Sequence, residues 1–375
     1  MKRTVFAVAC AVVVLVGGCA TAAAPKPSSG HGGSVSTTEG SGSTITISGD
    51  ALGRSVSFTS VPRRIVIAGK ALFMVADAVY MFPEASSRVV ALGSTVQNKL
   101  GFIPVIDPAY SSKTILDGSA GPEQIAATHP DVVLMKSSNA DTLGKPLEAV
   151  GIKVVYVDFE TPDQYSRDLG TLGQLFDDQA RANQLIAFFQ TRTDRVTAAL
   201  AGLQAAQKPK VLLLYYSNKN GTVAFNVPPL GYIQSTEAEL AGGQLVWRGA
   251  QLGGGWTTVT LEQIAAWNPD QIFVVAYSGS VDDVVARLKA DPQWKALRAV
   301  EQDSLYAFPG DYYSWDQPDP RWVLGLTWLA DKVHPDRFAD LDMTSEIESF
   351  YQDLYGMDKA SFETNVKPSL SGDLP

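Results

Sequence analysis

Aromatic side chains and a few cations are the residues of this chain whose types and spacing could do chemistry. Tyr215-Tyr216, Trp256 directly after Gly253-Gly254-Gly255, Tyr277, and the run Tyr312-Tyr313-Ser314-Trp315 each follow a short apolar stretch, with Arg321 just beyond. Lys70, Phe73, Gln97 and Lys136 hold the same kind of position in the first half of the chain. Rings offer broad, rigid contact to a planar or catecholate ligand, and Lys or Arg complements an anionic chelate. That is binding chemistry. Bond-making chemistry finds no footing: there is no nucleophile elbow, HExxH, Walker motif or carboxylate pair with a matching base. The triple glycine lacks the strand–GxxxxGK[ST]–helix context and reads as a flexible turn. Cys10 and Cys19 are the two cysteines, and His31, His129 and His334 the three histidines. The body therefore has no disulfide framework, no thiolate cluster and no multi-histidine site. Catalytic residues, a resident metal and a cofactor are not expected.

The elements that must position these residues are alternating strands and helices. Strands are expected near 64–67, 89–92, 132–135 and 153–157, and again near 210–215, 271–276 and 304–308. Short β-branched runs separated by helical segments predict an α/β fold with mainly parallel, buried sheets. In such sheets ligands bind beyond the carboxyl ends of the strands, which is where the aromatic and cationic residues fall. With 375 residues, 45% hydrophobic and 18% charged, the chain is globular and long enough for two lobes. A formal charge of −9 argues against nucleic acid or anionic lipid as a partner. Residues 177–207 contain Gly202 as their one glycine and no proline, and predict a single inter-lobe helix of about 30 residues, roughly 45 Å long. The lobes then run from 44 to 176 and from 208 to 342, with a C-terminal helix and tail at 343–375.

The N-terminus reads as an address and a tether. Lys2 and Arg3 precede an apolar run to Val16, and Val16-Gly17-Gly18-Cys19 has the small-residue pattern of a lipobox. Residues 1–18 are thus expected to be a lipoprotein signal peptide, with Cys19 acylated and 19–43 a flexible linker of Ala, Pro, Gly and Ser.

An internal repeat supports two lobes of similar design. Glu123 to Asp131 reads EQIAATHPD and Glu262 to Asp270 reads EQIAAWNPD, identical at seven of nine positions across an offset of 139 residues. Each copy precedes an apolar strand, so each reads as a short helix, a Pro-Asp turn and a buried strand. His129 stands opposite Asn268 of the other copy, which favours a structural role for both.

In this order and spacing the chain resembles the helical-backbone class of bacterial substrate-binding lipoproteins, the iron-siderophore, haem and cobalamin group that feeds ABC importers. The resemblance covers about 44–357. It rests on Gly53-Arg54-Ser55-Val56 and Pro62-Arg63-Arg64-Ile65-Val66, the two EQIAA–PD units, the inter-lobe helix, Trp294-Lys295-Ala296-Leu297, Pro320-Arg321-Trp322 and His334-Pro335-Asp336. It implies two Rossmann-like lobes joined by one long helix. It further implies a monomer, lipid-anchored on the extracytoplasmic face of a bacterial membrane, that delivers a small-molecule metal chelate to a permease dimer with its ATPase. A ferric siderophore is the expected ligand; haem, cobalamin or another metal chelate is the alternative, and a surface chelatase-like enzyme a more distant one. By the same resemblance Glu123 and Glu262, one per lobe, would dock on the two permease subunits, although a glutamate in a first helical turn also complements the helix dipole.

Overall fold

The computed structural model describes residues 44–95 and 101–374. Cys19, the assignments for 1–43 and Gln97 lie outside them. A hairpin of β1 (Ile45–Ser48) and β2 (Ser55–Phe58) precedes the first sheet. That sheet contains β3 (Ile65–Ile67), β4 (Val89–Gly93), β5 (Thr114–Leu116), β6 (Val132–Lys136) and β7 (Val154–Val157). Its order is β5-β4-β3-β6-β7, with every pairing parallel. The strands β3, β6 and β7 are buried at every residue, because helices cover both faces. Alternate residues serve different cores: Val66, Val133 and Met135 point into a small core of the first lobe. Ile67, Val132 and Leu134 join a larger core that continues into the second lobe.

The second sheet contains β8 (Lys210–Lys219), β9 (Thr222–Val227), β10 (Gln244–Leu245), β11 (Thr257–Val259), β12 (Gln271–Val275) and β13 (Leu305–Ala307). Its path is β11-β9-β8-β12-β13, with β10 beside the start of β8. Here β8–β12 and β12–β13 are parallel, but β9 pairs antiparallel with both β8 and β11. The extra antiparallel edge follows from β8, which runs four residues past the expected end at Tyr215 and turns at Asn220-Gly221, both with positive φ.

The repeat has a physical meaning in this frame. In each copy the glutamine folds back on the chain before its helix: Gly121 N–H donates to Gln124 Oε1 at 3.0 Å, and Thr260 N–H to Gln263 Oε1 at 2.8 Å. His129 and Asn268 occupy the left-handed region at φ 51° and 47°, allowing the turn that follows. The next aspartate clamps the start of its lobe's central strand: Asp131 Oδ2 accepts the Arg63 and Arg64 N–H groups, and Asp270 Oδ2 accepts that of Lys210. His129 is therefore a turn residue. His334 caps the helix Trp322–Val333, with Nε2 3.3 Å from the Gly242 carbonyl.

One expected element is shorter than predicted. The rod expected over 177–207 is a 21-residue helix, Gln179–Ala199, about 30 Å long. Asp177 sits at φ 56° and ends the preceding helix Pro162–Phe176, while the Asp178 side chain caps the new one by accepting Arg181 N–H. At the other end Gly202 turns the chain at φ 81° before a short 3-10 turn at Ala205–Gln207. Apolar spacing continues through these breaks, but the Asp178 cap at one end and the Gly202 turn at the other bound the helix. Among the described residues, no helix is long and apolar enough to cross a membrane.

Candidate ligand cleft

Strand order decides where a crevice opens. In the first sheet the chain moves outward through β4 and β5, then returns to β6 on the other side of β3, so the switch point lies between β3 and β6. Gly69-Lys70 leave one strand there and Ser137–Asn139 leave the other. Asn139 Oδ1 accepts the Lys70 N–H at 3.2 Å. Gly69 has φ 96°, and a Cβ on it would lie 2.9 Å from Asn139 Cγ, so this close approach requires glycine. A cavity of about 210 Å³ opens beside them, walled also by Gly93 and the Asp117–Pro122 loop. Lys70 is exposed at its edge, and none of the described residues forms an ion pair with it.

The second sheet switches direction between β8 and β12. Tyr215 is paired with Val275 at the end of that contact, and Tyr277 follows two residues later. Their rings lie 4.6 Å apart, with Trp256 5.1 Å from Tyr215 and 6.1 Å from Tyr277. All three are half-buried, so they form a continuous aromatic surface with one side open. Tyr232, 38% exposed, extends it edge-on to Trp256. Tyr277 is anchored from behind: its hydroxyl donates to Asp316 Oδ2 at 2.6 Å, and Gln234 Nε2 donates to the same oxygen at 3.3 Å. Burial raises the Asp316 carboxyl above its ordinary range, against the hydrogen bonds that would lower it. Burial also raises the Tyr215 and Tyr277 hydroxyls, reinforced for Tyr277 by the Asp316 charge, so both rings are neutral phenols. Tyr216 points elsewhere, onto Phe225, under the Arg287 guanidinium.

The aromatic run at 312–315 behaves differently from the sequence expectation. Trp315 and Arg321 have no exposed surface, Tyr313 is 1% exposed and Tyr312 8%. Arg321 is the centre of a buried ion cluster: Nη1 lies 2.6 Å from Asp77 Oδ2 and 3.7 Å from Asp319, and Nε 2.6 Å from Asp311 Oδ1. Its guanidinium also faces the rings of Phe102, Tyr313 and Tyr351 at 4.6, 4.9 and 5.8 Å. Trp315 Nε1 donates to Asp311 Oδ2 at 3.2 Å. Trp315 and Arg321 thus hold the core, and a ligand cannot reach them. Asp311 and Asp319 of this loop direct their charge onto Arg321. Lys136 is likewise withdrawn, 4% exposed and paired with Glu160.

This segment joins the lobes. Tyr313 Oη donates to the Thr95 carbonyl at 2.5 Å and accepts the Phe102 N–H at 3.3 Å, and its ring stacks on Phe73 at 4.5 Å. Tyr277, Tyr312 and Tyr313 also line a cavity of about 480 Å³. Of the residues expected to meet ligand, the structure brings together Tyr215, Trp256 and Tyr277, with Tyr312 and Tyr313 around the neighbouring cavity and Phe73 behind Tyr313. Lys70 stands on the other lobe. Sequence reasoning missed Tyr232, which precedes a helix instead of ending a strand, and the C-terminal residues Pro368–Ser371 that close the larger cavity.

Known proteins share the fold that carries this site. The family model described as "Periplasmic binding protein" matches residues 69–312. The molybdate-binding protein MolA of Haemophilus influenzae is 31% identical over 102 residues, a match spanning 27% of this chain and 28% of that relative. The vitamin B12-binding protein of Salmonella typhimurium is 28% identical over 212 residues, spanning 56% of this chain and 72% of the relative. Among solved structures, a periplasmic solute binding protein from Veillonella parvula superimposes with a TM-score of 0.68 at 22% identity, covering 87% of this chain and 98% of that one. Helicobacter pylori CeuE gives a TM-score of 0.66 at 17% identity, covering 86% and 99%. These likenesses establish the two-lobe α/β fold, and the match over 69–312 establishes the family. This chain belongs to the periplasmic binding proteins, a family of solute carriers and not of enzymes.

Proposed function

We propose that this protein is the substrate-binding lipoprotein of an ABC importer, and that its solute is a metal chelate of low net charge held on the Tyr215–Trp256–Tyr277 surface. The observation that carries the reading is that open aromatic surface, at the switch point of the second sheet. A ferric siderophore fits it through the planar faces of its chelating groups. Low charge follows from the cations: of Lys70, Lys136 and Arg321, two are neutralised by carboxylates, leaving Lys70 to face solvent. A neutral hydroxamate complex suits this site better than a highly anionic catecholate. A corrinoid is the second reading, favoured by the relative named as a vitamin B12-binding protein. Native mass spectrometry of protein purified from its source, followed by fluorescence titration with a ferric hydroxamate, a ferric catecholate and cyanocobalamin, tests both. Saturable binding of the catecholate alone would refute the low-charge reading.

Two further assignments belong to this proposal. Cys19 is the acylated residue after removal of 1–18, and a Cys19→Ser protein that stays on the membrane would disprove it. Glu123 and Glu262 dock on the permease. Both are exposed in the first turn of equivalent helices, one per lobe, as contacts with a two-fold symmetric transporter require.

A further inference from the structure

Most of the described glycines are required where they stand, either by a positive φ or by a neighbour that a Cβ would strike. Those on the two loops that rim the aromatic surface are not. Gly231 stands on one loop, and Gly249, Gly253, Gly254 and Gly255 on the loop between β10 and β11. None of the five has a positive φ. A Cβ would meet nothing within 4 Å at four of them, and at Gly253 only Thr257 Oγ1 at 3.9 Å, an ordinary contact. Alanine would therefore fit at each position, and would stabilise the fold by restricting the unfolded chain. This conformation gives glycine no purpose there, so the purpose lies in a second conformation of the loop.

The hydrogen bonds point the same way. The loop is fastened at both ends. Trp247 is fully buried, with Nε1 donating to the Pro228 carbonyl at 3.0 Å, and Thr257 opens β11, which is paired along β9. Between these anchors, Gln251 to Trp256 make no backbone–backbone hydrogen bond among the described residues. What holds the segment is slight. Gly253 N–H donates to Thr257 Oγ1 at 3.1 Å, Thr257 Oγ1 donates to the Gly255 carbonyl at 3.3 Å, and the Tyr232 hydroxyl donates to the Gly254 carbonyl at 3.4 Å. A segment so sparsely bonded between firm anchors moves at low cost. The side chain at its end is Trp256, lying against Tyr215 and Tyr277 with one side open. The lobes, by contrast, are pinned together through the buried Asp77–Arg321 pair and the Tyr313 bond to the Thr95 carbonyl. Covering a bound solute thus falls to a local element.

Taking the Tyr215–Trp256–Tyr277 surface as the solute site, we propose that residues 249–255 are a lid hinged at Gly253-Gly254-Gly255. Its movement carries Trp256 between the position described here and one pressed against the solute.

Fluorine NMR of the full chain labelled with 5-fluorotryptophan tests the movement without any solute. Trp256→Phe identifies the Trp256 signal among those of the seven tryptophans. That signal should show exchange on the microsecond-to-millisecond timescale of lids, while those of the buried Trp247, Trp315 and Trp322 should not. In Gly253→Ala/Gly254→Ala/Gly255→Ala the exchange should slow at least tenfold, with thermal unfolding at or above the wild-type temperature. A Trp256 signal without exchange, or exchange unchanged in the triple variant, overturns the proposal. So does a triple variant that unfolds at a lower temperature, because the position described here would then itself need the glycines. Saturating ferric acetohydroxamate or cyanocobalamin should collapse the exchange to one state. If Trp256 exchanges as expected and neither compound alters it, the solute assignment fails and the hinge stands.

Discussion

Replacing Arg321 by methionine tests the reasoning about the buried cluster most directly. The side chain has nearly the right volume, so the change is chiefly electrical. It removes the cation that contacts Asp77 and Asp311 at 2.6 Å and Asp319 at 3.7 Å. Breaking a buried ion pair by deleting one partner costs about 3–5 kcal/mol, because the remaining charge has neither water nor counter-ion. At 2–4 °C per kcal/mol that predicts a fall in Tm of roughly 6–20 °C at pH 8. The pH dependence is the sharper part. Burial already pushes the Asp77 carboxyl up to about 6 with Arg321 in place. Without it Asp77 and Asp319 rise further, and the variant binds protons between pH 6 and 8 that the wild type does not. Each such proton narrows the difference by about 1.4 kcal/mol per pH unit. Most of the loss should thus be recovered at pH 6. Urea unfolding at pH 8 and pH 6 measures this. Wild-type stability at pH 8, or an equal loss at both values, would show that Arg321 does not hold these carboxylates together.

The wild type should itself be more stable at mildly acid pH than at pH 8. Burial raises Asp77, Glu237, Asp316 and Asp319, so each binds its proton in the folded state before the unfolded chain does. For Asp77 alone stability is gained as pH falls from about 6 toward 4, by about 3 kcal/mol. A Tm that rises steadily from pH 5 to 8 would contradict this. Trp256→Ala should weaken chelate binding by roughly 1–3 kcal/mol with little change in Tm. Trp315→Ala, by contrast, empties a fully buried site and should cost about 3–5 kcal/mol of stability, read by urea unfolding, its effect on binding arising only through folding. The double variant Glu123→Ala/Glu262→Ala should bind solute normally in solution but lose uptake in cells, and normal uptake would reduce these carboxylates to helix starts.

The sequence revealed the architecture because repeating local patterns carry it. All seven expected strands exist, most within a residue of their expected bounds, since continuous β-branched runs are what a sheet covered on both faces demands. Tyr215, Trp256 and Tyr277 were legible as a group once strand ends were located. The short strands β5, β10 and β11 were not, because two or three ladder positions impose no period on the sequence, and β9 was missed because it folds back on an extension of β8 that was not expected. Nor was the fate of Trp315 and Arg321. A loop carrying Asp311, Asp316 and Asp319 looks solvated in a string of letters, and nothing near Arg321 announces that Asp77, 244 residues earlier, will complete its coordination. Long-range charge pairing leaves no periodic trace, so the buried and exposed versions of such a loop read alike.

The twin aspartate clamps have a consequence for how this molecule can change. Asp131 and Asp270 grip the amino ends of β3 and β8, while Gly69-Lys70 follow the carboxyl end of β3 and Tyr215 stands where the parallel pairing of β8 with β12 ends. Each central strand is thus a beam bolted at one end and decorated at the other. Substitutions among the decorations alter what is gripped without loosening the bolts, and the left-handed turn before each bolt accepts histidine in one copy and asparagine in the other with the clamp unchanged. A scaffold wired this way can exchange one cargo for another through a handful of side chains, its tolerance for novelty coming from the distance of a strand's length between what must stay and what is free to vary.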